Sequence, residues 1–149
     1  MDCIYLHTNL TVKDIERMKS FYVDVFGCVP LREIQHLEGK WIERITSVKY
    51  GEIKYVHLRF PGHGDAGPEL ELIEYINPTK QYDITPDTYG FGHISFSVKN
   101  VREVLDRVLS AGGGVVGEVV TVQVPNRGLL TEVYAKDPEG NIIELQSYA

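Results

Sequence analysis

HTNLTVKDI, His7 to Ile15, has a near-copy further along the chain in HISFSVKNV, His93 to Val101. His, Val and Lys are identical at matching positions, and Leu/Phe, Thr/Ser, Asp/Asn and Ile/Val are close exchanges. The ends of the two segments that follow also match. GPELELIEY, Gly67 to Tyr75, aligns without gaps on GNIIELQSY, Gly140 to Tyr148, pairing Glu71 with Glu144 and Tyr75 with Tyr148. Either similarity alone could be chance. Both together, in the same order, point to an internal duplication, and a repeat decides the architecture before any single element does.

Each copy reads as one plan. Residues 5–12 alternate and suit a strand. Asp14 then serves as a helix N-cap or first-turn acid, and Ile15, Met18, Phe21, Tyr22, Val25 and Phe26 recur at helical spacing up to Gly27. Strands are expected over 31–37, over 42–60 with a break near Gly51, and over 69–76. In the second copy 91–98 is a strand, and Asn100 caps a helix with Val101, Val104, Leu105 and Val108 on one face. Gly112-Gly113-Gly114 ends that helix. Strands over 115–124, 129–136 and 141–147 follow, with Asp137-Pro138-Glu139-Gly140 as a turn. The expected fold is α+β, tandem βαβββ modules over about 1–76 and 91–149, joined by a linker at 77–90 that holds Pro78 and Pro86.

Strand alternation fixes which side chains share a face. Leu6, Leu10 and Val12 face the helix side, so His7 and Asn9 point the other way. Ile94, Phe96 and Val98 do the same in the repeat, leaving His93 and Ser95 opposite. Leu70 and Leu72 oppose Glu71; Ile143 and Leu145 oppose Glu144 and Gln146. Each module therefore offers one His and one Glu from one polar sheet face. Taken singly, a strand histidine is more often hydrogen-bonded than ligating, and a glutamate between leucines usually faces solvent. Recurrence of both at matching positions favours a set: His7, Glu71, His93 and Glu144. Two imidazoles and two carboxylates suit a divalent ion of intermediate hardness, with positions left for water or substrate.

The other candidates carry weaker signals. His57 shares a face with Tyr55 and Arg59, at a cavity wall or a solvated surface. His36 and His63 sit beside turns, Arg127 at a hairpin tip, and Trp41 and Glu43 at structural or rim positions. Cys3 and Cys28 form no CxxC pair and read as small apolar residues.

Composition bounds the rest. The chain has 149 residues and a net charge of −6, with 15 Lys+Arg scattered among 21 Asp+Glu. Nucleic acid leaves a basic stripe, so it is not an expected partner. No run reaches the roughly 18–20 apolar residues of a membrane span. MDCIYLHTN has no basic start or apolar stretch, so a cytoplasmic location is expected.

Tandem βαβββ modules, each with a His opening its first strand and a Glu in its last, resemble the vicinal oxygen chelate superfamily. HTNLTVKDIERMKSFYVDVFG, YGFGHISFSVKN and KDPEGNIIEL look closest to bacterial glyoxalase I. The resemblance implies a lyase or isomerase dependent on Ni, Co, Mn or Zn. It would act on a small substrate with vicinal oxygens through proton transfer next to a carbonyl and an enediolate. Glu144 is the expected base and Glu71 the alternative, with Asn9, Ser95 and Gln146 orienting the substrate. A homodimer is expected, its site lying within one chain or across two. A methylmalonyl-CoA epimerase-like racemase, an extradiol-type dioxygenase and a non-catalytic binding or resistance protein are the alternatives. Epimerases tend to carry Gln at the position of Glu71, and dioxygenases use three protein ligands.

The substrate shell departs from glyoxalase I. That family grips glutathione with an Arg four positions after the first ligand His and an Asn four after the first ligand Glu. Here those positions are Thr11 and Tyr75. A hydroxyl cannot replace a charge-assisted contact to a carboxylate. The outer wall of the pocket is expected from 37–47 and 77–89.

Overall fold

The alternating residues of the first copy form β1 (His7–Val12), which leads through Asp14 into α1 (Ile15–Phe26). The Asp14 carboxylate accepts from the Arg17 N–H at 3.0 Å, and Gly27 closes the helix in the left-handed region at φ 71°. A side chain there would be strained, which is why the apolar period stops at a glycine. A second carboxylate secures the N-terminal end of α1. Glu74 Oε2 accepts from the Ile15 N–H at 2.9 Å while its Oε1 holds Lys54.

The computed structural model describes residues 4–49, 51–76, 78 and 83–149. Cys3 and most of the first half of the expected linker and outer wall, from 77 to 82, lie outside them. The chain divides into two units, Met1–Lys80 and Gln81–Ala149.

In the first unit β1 and α1 are followed by β2 (Val29–Pro30), β3 (Gln35–Glu38), α2 (Lys40–Thr46), β4 (Glu52–Arg59) and β5 (Glu69–Tyr75). The sheet order is β1-β5-β4-β2, with β3 also paired to β4. β1 lies parallel to β5, whereas β4 is antiparallel to β5, β2 and β3. The second unit runs β6 (Ile94–Ser97), α3 (Val101–Ser110), β7 (Gly114–Val115), β8 (Val120–Val124), β9 (Gly128–Lys136) and β10 (Ile142–Tyr148). Its order, β6-β10-β9-β7 with β8 on β9, is the same plan. Register repeats as well: Asn9 stands opposite Glu71 and Ser95 opposite Glu144.

The two faces of each sheet differ as the alternation requires. Leu70 and Leu72 are wholly buried, as are Met18 and Tyr22 from α1, and α1 packs on β4 and β5. In the second unit Val101 and Val108 of α3 are buried along with Val133, Ala135, Ile143 and Leu145. Val104 and Leu105, expected on the same helical face, are half-buried. The helix face therefore carries the apolar core, and Glu71 and Glu144 lie on the other side.

Three expectations about the elements are corrected. The stretch 42–60 is not one interrupted strand: residues 40–46 form α2. Lys40, Glu43 and Arg44 are good helix formers, and of the apolar residues only Ile42 turns inward while Trp41 and Ile45 are exposed. Ile42 is buried, and a Cβ on Gly51 would come within 2.7 Å of its Cγ2. Of the strand expected over 31–37 only 35–37 is extended, in β3, with β2 standing ahead of the expected range, and the strand expected over 115–124 is split into β7 and β8. Both pieces still pair with the same partner, so each module's second strand is a broken one. β1 and β6 also start later than expected, at His7 and Ile94, leaving His93 just ahead of β6. Among the described residues no helix is long and apolar enough to cross a membrane.

Candidate functional site

Each unit carries one His–Glu pair, and the two pairs are alike. His7 Nε2 lies 3.5 Å from Glu71 Oε2, and His93 Nε2 lies 3.4 Å from Glu144 Oε2. Side-chain exposures also match, at 36% and 17% in the first unit and 34% and 15% in the second. The glutamates are mostly covered, while the imidazoles keep an open edge. The cause is local: His7 opens β1 and His93 lies just ahead of β6, and the parallel neighbour places each glutamate opposite the residue two further on, Asn9 or Ser95.

Two donors bonded to one ion at about 2.1 Å lie roughly 3.0 Å apart in an octahedron and roughly 3.4 Å apart in a tetrahedron. Both pairs sit close to this range, so each fits as a two-point chelate. Among the described residues, no three or more His, Cys, Asp or Glu side chains form a group that could hold a metal. A pair alone is half of such a site.

The surroundings of the two pairs differ. Asn9 Nδ2 donates to Glu71 Oε2 at 3.2 Å, and also to the Glu71 carbonyl, while the Thr11 hydroxyl donates to Asn9 Oδ1. Asn9 is thus engaged with Glu71. Ser95 and Gln146 bond to each other, Gln146 Nε2 donating to Ser95 Oγ at 2.9 Å. Opposite Glu71 stands His57, whose Nε2 is 3.3 Å from Glu71 Oε1. Opposite Glu144 stands Tyr134, its ring 5.0 Å from that of His93. Glu132, near Glu144, has its carboxyl raised above the ordinary range by partial burial and then by the Glu144 carboxylate.

His57 and Glu69 are the functional candidates that sequence reasoning underrated. Alternation along β4 gave the face of His57 but not its register on β5. A cleft of about 270 Å³ opens beside them, lined by Arg32, Gln35, Tyr55, His57 and Glu69 among others. The remaining candidates are elsewhere. His36 pairs with Glu52 at 2.8 Å on an exposed surface. Arg127 lies over the Tyr148 ring at 4.4 Å, a structural use of a hairpin-tip cation. Trp41 is half exposed on α2, and Cys28 is buried.

Comparison with known proteins agrees with this fold. A family model described as "Glyoxalase/Bleomycin resistance protein/Dioxygenase superfamily" matches residues 4–145. A Vibrio parahaemolyticus protein named probable lactoylglutathione lyase is 32% identical, over 94% of this chain and 87% of its own. A Salmonella typhimurium lactoylglutathione lyase is 30% identical, over 94% and 89%. Among solved structures, a glyoxalase family protein from Bacillus cereus superposes with a TM-score of 0.82 at 21% identity, over 99% of this chain and 95% of that one.

Proposed function

Because this chain belongs to the glyoxalase/bleomycin resistance protein/dioxygenase superfamily, we propose that it is a divalent-metal-dependent lyase or isomerase of the glyoxalase I type. The observation that carries this reading is the repeated pair, His7–Glu71 and His93–Glu144, with matching spacing and exposure in both units. His7, Glu71, His93 and Glu144 are the protein donors of one ion, Ni, Co, Mn or Zn, contributed by one chain or by two copies. When bound, the ion supplies Lewis-acid stabilisation of negative charge on two vicinal substrate oxygens.

The chain's own residues do the rest. Glu144 takes the proton next to the carbonyl and returns it to the same or the adjacent carbon. Its carboxylate is largely covered, so it meets the substrate with little competing water. Ser95 and Gln146 lie on the same face and orient the substrate through groups that now bond to each other. Thr11 and Tyr75 offer no cation or amide at the positions that would grip glutathione. The proposed activity therefore rests on metal and proton transfer and does not require glutathione.

The test is solvent-proton exchange on hemithioacetals and acyl-CoA thioesters. Chelator-treated protein should lose exchange, and Ni, Co, Mn or Zn should restore it. Protein that holds no divalent metal and gains neither activity nor thermal stability on metal addition would remove the proposal. Catechol cleavage that needs Fe(II) and consumes O₂ would replace it with a dioxygenase.

A further inference from the structure

We infer that His57, braced by Glu69, is a positioning residue that fixes the Glu71 carboxylate, and that the second unit does not repeat the device. The inference rests on the proposed metal role of Glu71 and deepens it.

The geometry starts from register. β4 runs antiparallel to β5 with His57 directly opposite Glu71 and Arg59 opposite Glu69, so all these side chains share one face. His57 Nε2 lies 3.3 Å from Glu71 Oε1, and its Nδ1 lies 2.8 Å from Glu69 Oε2. The Nδ1 contact is close but poorly aligned. Nδ1 is buried without a hydrogen-bond partner, and the Glu69 carboxylate packs against it. Two rings stand edge-on to the imidazole, His7 at 5.3 Å and Tyr55 at 5.8 Å. Two carboxylates and two rings leave His57 little rotational freedom. Its ring is rigid enough to orient a neighbour.

Glu71 is consequently held at both oxygens. Oε1 faces His57, and Oε2 faces Asn9 and His7. Glu144 has a different frame, in which its carboxylate faces the Glu132 carboxyl rather than a second imidazole. Tyr134 stands at the position of His57, and Glu132 stands at the position of Tyr55. Among the described residues no second imidazole and no side-chain amide reaches Glu144. A near-symmetric pair of glutamates is thereby made unequal. Glu71 is braced by an imidazole and an amide, whereas Glu144 is faced by a second carboxyl, that of Glu132. Outer partners of this kind orient ligands, and losing one weakens metal binding about 10–100-fold.

The experiment is a calorimetric titration of metal-free protein with Ni(II), comparing wild type with His57→Ala, His57→Gln and Tyr134→Phe. His57→Ala should weaken nickel affinity about 10–100-fold. His57→Gln, whose amide can still donate to Glu71, should recover most of the loss, and Tyr134→Phe should change affinity less than twofold. In proton exchange His57→Ala should raise the nickel concentration needed but keep kcat at saturating metal within a few-fold. If the alanine variant does not fold, His57→Phe keeps the ring volume without a donor. Wild-type binding with equal affinity in His57→Ala would overturn this inference alone, as would equal losses in His57→Ala and Tyr134→Phe. Wild-type protein that takes up no nickel would overturn the proposed function and this inference with it.

Discussion

His7 and Glu71 come together because an edge strand and its parallel neighbour place them at adjoining positions of one face, and His93 and Glu144 repeat the placement. Glu144→Gln preserves shape and removes the proposed base, so solvent-deuterium incorporation should fall by about 10²–10⁴-fold. Unchanged exchange in a folded Glu144→Gln protein would exclude Glu144 as the base. The ligand candidates were legible in the sequence only because the chain states them twice. His57 was not, since the pattern of one strand fixes a face but not the partner opposite it. Cys28 makes a separate prediction. Burial pushes its thiol up to about 12, so at pH 8 it should escape alkylation in native protein and react after denaturation, as read by mass spectrometry of its peptide. The sign of the linked stability follows. The fold favours the protonated thiol, so this contribution is complete below the ordinary thiol pKa of about 8.5. It is lost as pH rises toward about 12, and chemical denaturation at a series of alkaline pH values should show the decline.

At the scale of elements, turns and close approaches hold the sheets in register. Asp137 is buried at the turn between β9 and β10, where it accepts from the N–H groups of Glu139 and Asn141 and from Asn141 Nδ2. Asp137→Ala should destabilise the protein by about 2–3 kcal/mol in a urea melt, because these donors lose a charged acceptor. Gly113 lies where a Cβ would meet the Lys136 carbonyl oxygen at 2.4 Å and Val108 Cγ1 at 2.7 Å. Gly113→Ala should cost about 3 kcal/mol by overpacking; an unchanged melting point would show that β7 can shift to accept it. Both sites explain why the Asp-Pro-Glu-Gly and triple-glycine signals could be read as punctuation. The misread element was α2. In Lys40–Thr46, seven residues give too little period to separate a short helix from a strand, and only the burial of Ile42 with Trp41 and Ile45 exposed decides it. The breaks inside β2/β3 and β7/β8 were likewise hidden, because a strand can stop and resume on the same partner without a change of composition.

For the whole molecule, the repeat is the organising fact. Two units built on one plan each present one His–Glu pair, and among the described residues no three His, Cys, Asp or Glu side chains group to hold a metal. The central claim is that the two halves serve one ion. Counting nickel ions bound by metal-free protein, in wild type and in His7→Ala and His93→Ala, tests it most directly. One ion per chain, with binding abolished by either substitution, is the predicted result. Two ions per chain, or a substitution that removes half the binding and leaves the rest intact, would contradict it.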